Sequence, residues 1–451
     1  MPVSPAREIA YRILRQIDNR RGFAVDLLQR PEVSELREVD RRLATELVMG
    51  VLRWQGELDF QMQRLSGKAL KYFEPEVAII LCLGIYQIRF LERIPKSAAV
   101  NEAVEMTKSA RKRSATGLVN AVLRKCERFQ ARTGAGEPSA PTREGIEAAC
   151  RCVPHWLLER WSRNIGSEAS KSLAWATTLA PPITLRVRTA TGDLEKVRRQ
   201  LAQEGVKTRP ARYAARALVV ELGNVQAAKA ALQGWVVIQD EASQLVAALV
   251  APQPGQRVLD LCAAPGMKAG LLASALGSGL LVASDASARR LRTMAKLVRR
   301  GLSVETRPHL VRLDASRELP FGTRFDRILV DVPCSGTGTL ARNPEIKRRL
   351  QEKDIARLAE MQEKMLRNAL AVLALGGRLV YATCSLEPEE NEEVVGKVLR
   401  EYPGFQLLSR AELSEEFPAL SELFDARGFF RTRPDLNLMD GFFAAVVKRI
   451  R

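Results

Sequence analysis

At 451 residues the chain is too long for one ordinary core, and its 46% apolar content supports about three packed domains. Lys and Arg outnumber Asp and Glu by 70 to 52, leaving a formal charge of +18, divided +7, +5 and +6 over residues 1–140, 141–250 and 251–451. No apolar run approaches the roughly 20 residues that span a bilayer, and no signal-peptide core follows Met1-Pro2-Val3-Ser4, so a membrane protein is excluded and a cytoplasmic location expected.

Residues 1–132 read as an all-helical domain. Leu43, Leu47, Val51 and Trp54 share one face of a helix over 40–54, with Arg41, Arg42 and Arg53 off that face. A further helix is expected over 76–90, and Val119, Val122, Leu123 and Cys126 make another apolar stripe. Residues 131–143, with Gly134, Gly136, Pro138 and Pro141, read as a linker. Residues 145–250 read as a small α+β domain. Its helices surround Trp156, Trp161 and 194–201, and its strands lie at 183–187, 217–222 and 235–238. From 251 to 451 strands alternate with helices: strands at 257–261, 280–284, 309–313, 325–332 and 378–382, helices including 288–300 and 354–373. That alternation predicts an α/β, Rossmann-like, mostly parallel sheet, whose ligands bind at the carboxyl ends of the strands.

The positive charge is spread over all three segments rather than held in a tail. The clusters Arg111-Lys112-Arg113, Arg289-Arg290, Arg299-Arg300 and Lys347-Arg348-Arg349 suit a polyanion that touches several domains, although any one of them is equally well a solvated helix face. Cysteines 82, 126, 150, 152, 262, 334 and 384 are odd in number and lack zinc-finger spacing. Neither a disulfide framework nor a metal is expected, and the question becomes which thiol reacts.

The first strand of the α/β domain runs through Asp260 into Cys262, Ala263, Ala264, Pro265, Gly266, Met267 and Lys268. Small residues here let backbone approach a ligand, and a helix start offers free N–H groups. The run is neither the dinucleotide G-x-G-x-x-G nor a Walker loop, which disfavours a nicotinamide-dependent oxidoreductase. Asp285 ends the second strand, placed for ribose hydroxyls, and Asp314 ends the third, placed for an adenine edge. An acid in such a place is also an ordinary turn or helix cap; three at successive strand ends favour an adenosine-type ligand. Strands four and five end in Asp331-Val332-Pro333-Cys334-Ser335 and Thr383-Cys384-Ser385. They deliver two thiols to one mouth, although packing is the usual fate of a free cysteine.

Together Asp-x-Cys-Ala-Ala-Pro-Gly, Asp-x-Pro-Cys-Ser and Thr-Cys-Ser resemble the Sun/RsmB (Fmu) branch of RNA 5-methylcytosine methyltransferases, and the resemblance extends over nearly the whole chain. Gln239-Asp240-Glu241, Pro388-Glu389-Glu390-Asn391 and Asp440-Gly441-Phe442-Phe443 add to it. So do Leu83-Gly84-x-Tyr86-Gln87 and the run from Gly117 to Arg124, which are similar to a NusB-like RNA-binding domain. The resemblance implies S-adenosylmethionine held by Cys262 to Lys268 with Asp285, Arg290, Asp314 and Asp331. It implies Cys384 as nucleophile and Cys334 as the residue that aids product release. The implied substrate is bacterial small-subunit (16S) rRNA, free or in an assembling particle, and a monomer is expected.

Thiol chemistry suits this reaction, because carbon 5 of cytosine is a poor nucleophile until a thiolate adds to carbon 6. Asp331 can hydrogen-bond the pyrimidine edge as charge arrives on the ring. Two positions depart from the family pattern: Met267 stands where glycine is usual, and Arg188 where asparagine is common. A tRNA cytosine methyltransferase and a non-catalytic RNA-binding assembly factor are the alternatives.

Overall fold

The computed structural model describes residues 3–129, 141–188, 193–299 and 307–451. Most of the expected linker and Arg300 lie outside the described residues, as does the side chain of Arg299. The chain forms two compact units, Met1–Ala180 with Leu340–Leu350, and Pro181–Thr339 with Gln351–Arg451. The segment 145–250 is thereby divided at Ala180. Among the described residues no helix is long and apolar enough to cross a membrane.

The first unit is helical. Helix Glu38–Arg53 buries Leu47 and Val51 as its periodicity predicts, while Trp54 caps its end. Helix Pro75–Phe90 is apolar on almost every face, which makes it the central helix of the core. The two approach closely at Gly50, where an added Cβ would lie 2.0 Å from the Tyr86 ring. Buried Glu57 is held by Arg89 at 3.3 Å and by Arg151 at 2.7 Å, so its charge is compensated rather than stranded. Helices Arg143–Arg151, His155–Ile165 and Ser167–Ala176 complete the unit with residues 340–350.

Two expectations about charge change here. Arg53 is buried, and its Nε donates to the Ala341 carbonyl at 2.8 Å. The cluster Lys347-Arg348-Arg349 is used inside the protein rather than displayed to a polyanion. Lys347 Nζ donates to the carbonyls of Arg53 and Thr177, each at 3.3 Å. Arg348 reaches Asp18 at 3.2 Å, and Arg349 the Gly22 carbonyl at 2.6 Å. Arg53 and Thr177 stand at the carboxyl ends of their helices, where unpaired carbonyls attract cations.

The second unit holds two sheets. Strands β1 (Thr184–Val187), β2 (Lys207–Pro210), β3 (Ala217–Leu222) and β4 (Val236–Ile238) form an antiparallel sheet in the order β2-β3-β1-β4. The larger sheet contains β5 (Arg257–Leu261), β6 (Leu280–Asp285), β7 (His309–Arg312), β8 (Phe325–Asp331), β9 (Leu373–Thr383), β10 (Phe405–Leu407), β11 (Phe430–Arg431) and β12 (Phe443–Arg449). Its order is β10-β12-β9-β8-β5-β6-β7, with β11 paired to β12. Strands β9, β8, β5, β6 and β7 run parallel, as the alternation of strands and helices predicts. Their apolar runs are buried on both faces, as in Leu259, Ile328, Leu329, Leu379 and Val380. The sheet is mixed, because β12 pairs antiparallel with β9.

Candidate active site

Parallel pairing of β5 with β6 and β8, and of β8 with β9, brings the carboxyl ends of these strands side by side. After β5, Cys262 takes a left-handed backbone (φ 62°) and Gly266 another (φ 102°). A Cβ at Gly266 would lie 2.7 Å from Met294 Cγ, so glycine is required there. Helix Met267–Leu276 then begins, and its first turn presents N–H groups with no intrahelical partner.

Asp285 ends β6 almost fully buried. It accepts from the Ser287 N–H at 2.8 Å and lies 3.1 Å from Arg290 Nη1. Arg290 also donates to the Ala264 carbonyl at 2.5 Å, which ties the strand end to the loop. Asp314 lies two residues beyond β7 and is exposed. It accepts from the Ser316 N–H at 3.0 Å and the Ser316 hydroxyl at 2.7 Å, and these bonds hold its carboxyl below the usual range. Asp260 is different: it is wholly buried, and neither carboxylate oxygen has a hydrogen-bond partner. Burial first, then the nearby charge of Asp331, pushes its pKa well above the carboxylate range.

The reacting groups converge beside it. Lys268 Nζ pairs with Asp331 at 2.7 Å and sits 5.2 Å from the centre of the Phe442 ring. Burial alone would lower the ammonium's pKa; Asp331, then Cys384 and Asp260, hold it above its usual value. The sulfurs of Cys334 and Cys384 are 3.3 Å apart. The hydrogen bond to Cys384, burial, and the charges of Cys384 and Glu390 raise the Cys334 thiol well above an ordinary cysteine. Cys262 belongs to the loop, and burial pushes its thiol up to about 12, so it is no nucleophile.

The residue that single-position reasoning passes over is Glu390. It is fully buried and accepts from the Ser335 N–H at 2.9 Å, the Ser335 hydroxyl, the Ser385 hydroxyl at 2.5 Å and the Gln362 amide at 2.9 Å. One carboxylate therefore clamps together the residues that follow each cysteine. Asn391 adds a second tie, donating to the Ser385 carbonyl at 3.0 Å and accepting from the Thr383 hydroxyl at 2.6 Å. The signal for this clamp was present in Pro388-Glu389-Glu390-Asn391, but as part of a family pattern and not as chemistry. Close packing completes the site, since a Cβ at Gly338 would meet the Gly441 carbonyl at 2.1 Å. Among the described residues no cluster of His, Cys, Asp and Glu could hold a metal ion.

Three family models match the chain: the NusB family over residues 4–128, an RsmF/B-like ferredoxin-like domain over 153–226, and 16S rRNA methyltransferase RsmB/F over 247–448. The probable ribosomal RNA small subunit methyltransferase B of Bacillus subtilis is 32% identical over 460 residues, covering 100% of both chains. Ribosomal RNA small subunit methyltransferase B of Pseudomonas putida is 36% identical over 84% of this chain and 86% of its own. The crystal structure of NSun6 from Pyrococcus horikoshii with SFG shares the fold, with a TM-score of 0.59 and 22% identity over 66% of this chain and 98% of that one.

Proposed function

Because the chain belongs to the RsmB/F family of 16S rRNA methyltransferases, we propose that this S-adenosylmethionine-dependent enzyme methylates carbon 5 of a cytosine in small-subunit rRNA through a covalent adduct on Cys384. The observation that carries the reading is the pair of thiols 3.3 Å apart at adjacent strand ends, flanked by the Lys268–Asp331 ion pair.

The residues of the β5–β7 ends fit the methyl donor. Asp285 and Asp314 supply acceptors for hydroxyl and amine groups, and the first turn of helix Met267–Leu276 supplies N–H groups for a carboxylate. When bound, S-adenosylmethionine provides an electrophilic methyl group.

The chain's own groups do the rest. Cys384 adds to carbon 6, and the electron pair displaced onto the ring makes carbon 5 nucleophilic. Asp331, fixed by Lys268, accepts a hydrogen bond from the pyrimidine edge as charge arrives. After methyl transfer the proton on carbon 5 must leave, and the carbon 6–sulfur bond then breaks to return Cys384. Cys334 suits that release. Its thiol is held protonated chiefly by the hydrogen bond to Cys384 and by burial, and adduct formation removes Cys384 as a free partner. Its proton is thus freed at the stage that needs a base.

Residues 1–132 and 145–250 are the RNA-binding parts of this reading, and the enzyme acts as a cytoplasmic monomer on free or assembling rRNA. Incubating the purified chain with S-adenosylmethionine and unmodified 16S or transfer RNA, followed by bisulfite sequencing, tests it. New 5-methylcytosine in the 16S RNA supports the reading. Methylation confined to transfer RNA, or to another atom, contradicts it.

A further inference from the structure

A second polar site lies beside the cofactor loop, on the face of the small antiparallel sheet. Arg186 on β1 is only 8% exposed, and its Nε has no hydrogen-bond partner. A terminal N–H of the same guanidinium lies 3.5 Å from the Met267 carbonyl. A Cβ at Gly270 would come within 3.5 Å of it, so the helix is kept bare where the arginine lies. Arg186 and Arg188 line an open pocket of about 60 Å³ with Gly266, Met267, Gly270 and Ser274. That is room for roughly four water-sized positions.

The electrostatics of this pocket are one-sided. None of its lining residues is acidic. The Arg186 guanidinium is pushed down to about 10 by burial and by Arg188. A cation at a helix N-terminus also opposes the positive end of the helix dipole. Two arginines and the free N–H groups of a first turn therefore face one small space with no countercharge among its lining residues. An anion entering it relieves every one of these repulsions, and a planar guanidinium favours a tetrahedral oxyanion with two oxygens in reach.

We propose that Arg186, Arg188 and the first turn of helix Met267–Leu276 bind one backbone phosphate of the substrate RNA, close to the target nucleotide. The proposal rests on the RNA substrate of the preceding reading, but not on the position methylated or on the cysteines. The pocket includes Gly266 and Met267 of the cofactor loop, so a phosphate held there fixes the strand beside the methyl donor. The second arginine is this chain's own feature, since asparagine is common at position 188 in the family.

The test compares the full-length chain with Arg186→Gln and Arg188→Asn for binding of deproteinised 16S rRNA, without methyl donor, between about 50 and 200 mM salt. Loss of one phosphate contact lowers the slope of log affinity against log salt by about 0.7 to 0.9. Arg186→Gln is expected to show that drop with at least a tenfold loss of affinity at low salt, and Arg188→Asn a smaller change of the same sign. Affinity for S-adenosylmethionine, measured by calorimetry, stays as in the parent. Should Arg186→Gln fail to fold, as judged by its thermal melt, the slope for Arg188→Asn decides alone. Unaltered slopes overturn the proposal. So does a loss of S-adenosylmethionine affinity with RNA binding intact, which would give the pocket to the cofactor's carboxylate. If the parent binds RNA but makes no 5-methylcytosine, the preceding reading fails while this one stands.

Discussion

The carboxyl edge of the large sheet is built in two ways. At the β5–β7 end, polar groups wait for something: the carboxyl of Asp260 is buried without a hydrogen-bond partner, and Asp314 is exposed on its own turn. At the β8–β9 end the groups already serve each other. Both oxygens of Glu390 accept from the residues after Cys334 and Cys384, and Asn391 ties Thr383 to Ser385. A half that binds can be completed by its ligand. A half that reacts has to hold two thiols in place beforehand, because small misplacement of reacting atoms is costly in rate.

The largest effect on that difference is expected from breaking the clamp. Glu390→Ala leaves the Ser335 and Ser385 donors and the Gln362 amide buried without their acceptor, at about 1–3 kcal/mol for each unsatisfied group. Stability should fall by several kcal/mol in urea titration, and kcat by about a hundredfold. Glu390→Gln keeps the shape but removes a charge that raises the Cys334 thiol. That thiol should then ionise at lower pH, so the pH limb governing product release moves to lower pH. An unmoved limb in Glu390→Gln contradicts the electrostatic coupling.

At the binding half the expected loss is smaller and confined to affinity. Asp285→Ala removes an acceptor for ribose and should weaken S-adenosylmethionine roughly tenfold to a hundredfold by calorimetry. The Cys334–Cys384 pair should be untouched, so a large kcat loss at saturating cofactor argues against two independent halves.

The smallest effect lies away from the edge. Burial lowers Lys347 from 10.5 to about 8. The folded form therefore binds fewer protons than the unfolded between about pH 8 and 10.5, and this group's contribution to stability rises with pH across that window. Below it the buried ammonium is a burden on the order of 3 kcal/mol before relaxation. Lys347→Met should raise the urea midpoint at pH 7, with the gain shrinking toward pH 10 and kcat unchanged. A gain that is constant with pH would show that titration of Lys347 is not its source.

The binding half was the more legible in sequence. Apolar strands buried on both faces announce a parallel sheet, and the small residues from Ala263 to Gly266 announce a backbone that must pass close to a ligand. Both signals are local. The antiparallel β12 was not anticipated, since Phe443–Arg449 finds β9 about sixty residues earlier. Nor was the role of Glu390, because its meaning depends on Ser335, Ser385 and Gln362 arriving from three separate segments. Lys347-Arg348-Arg349 shows the opposite hazard: composition marks it as a polyanion contact, but the chain spends it on helix carbonyls and Asp18. Arg186 was visible only as one residue of a family-like run. Its burial became apparent once β1 was placed against helix Met267–Leu276.

The account turns on two thiols 3.3 Å apart having different tasks. Denaturing electrophoresis of Cys384→Ala and Cys334→Ala with labelled 16S rRNA and S-adenosylmethionine separates them, because only a covalent complex survives. Cys384→Ala should give neither methylation nor adduct. Cys334→Ala should attack and transfer the methyl group but stall before release, leaving protein joined to RNA. An adduct in Cys384→Ala with none in Cys334→Ala would exchange the two roles, and full activity in Cys384→Ala would contradict covalent catalysis by this pair.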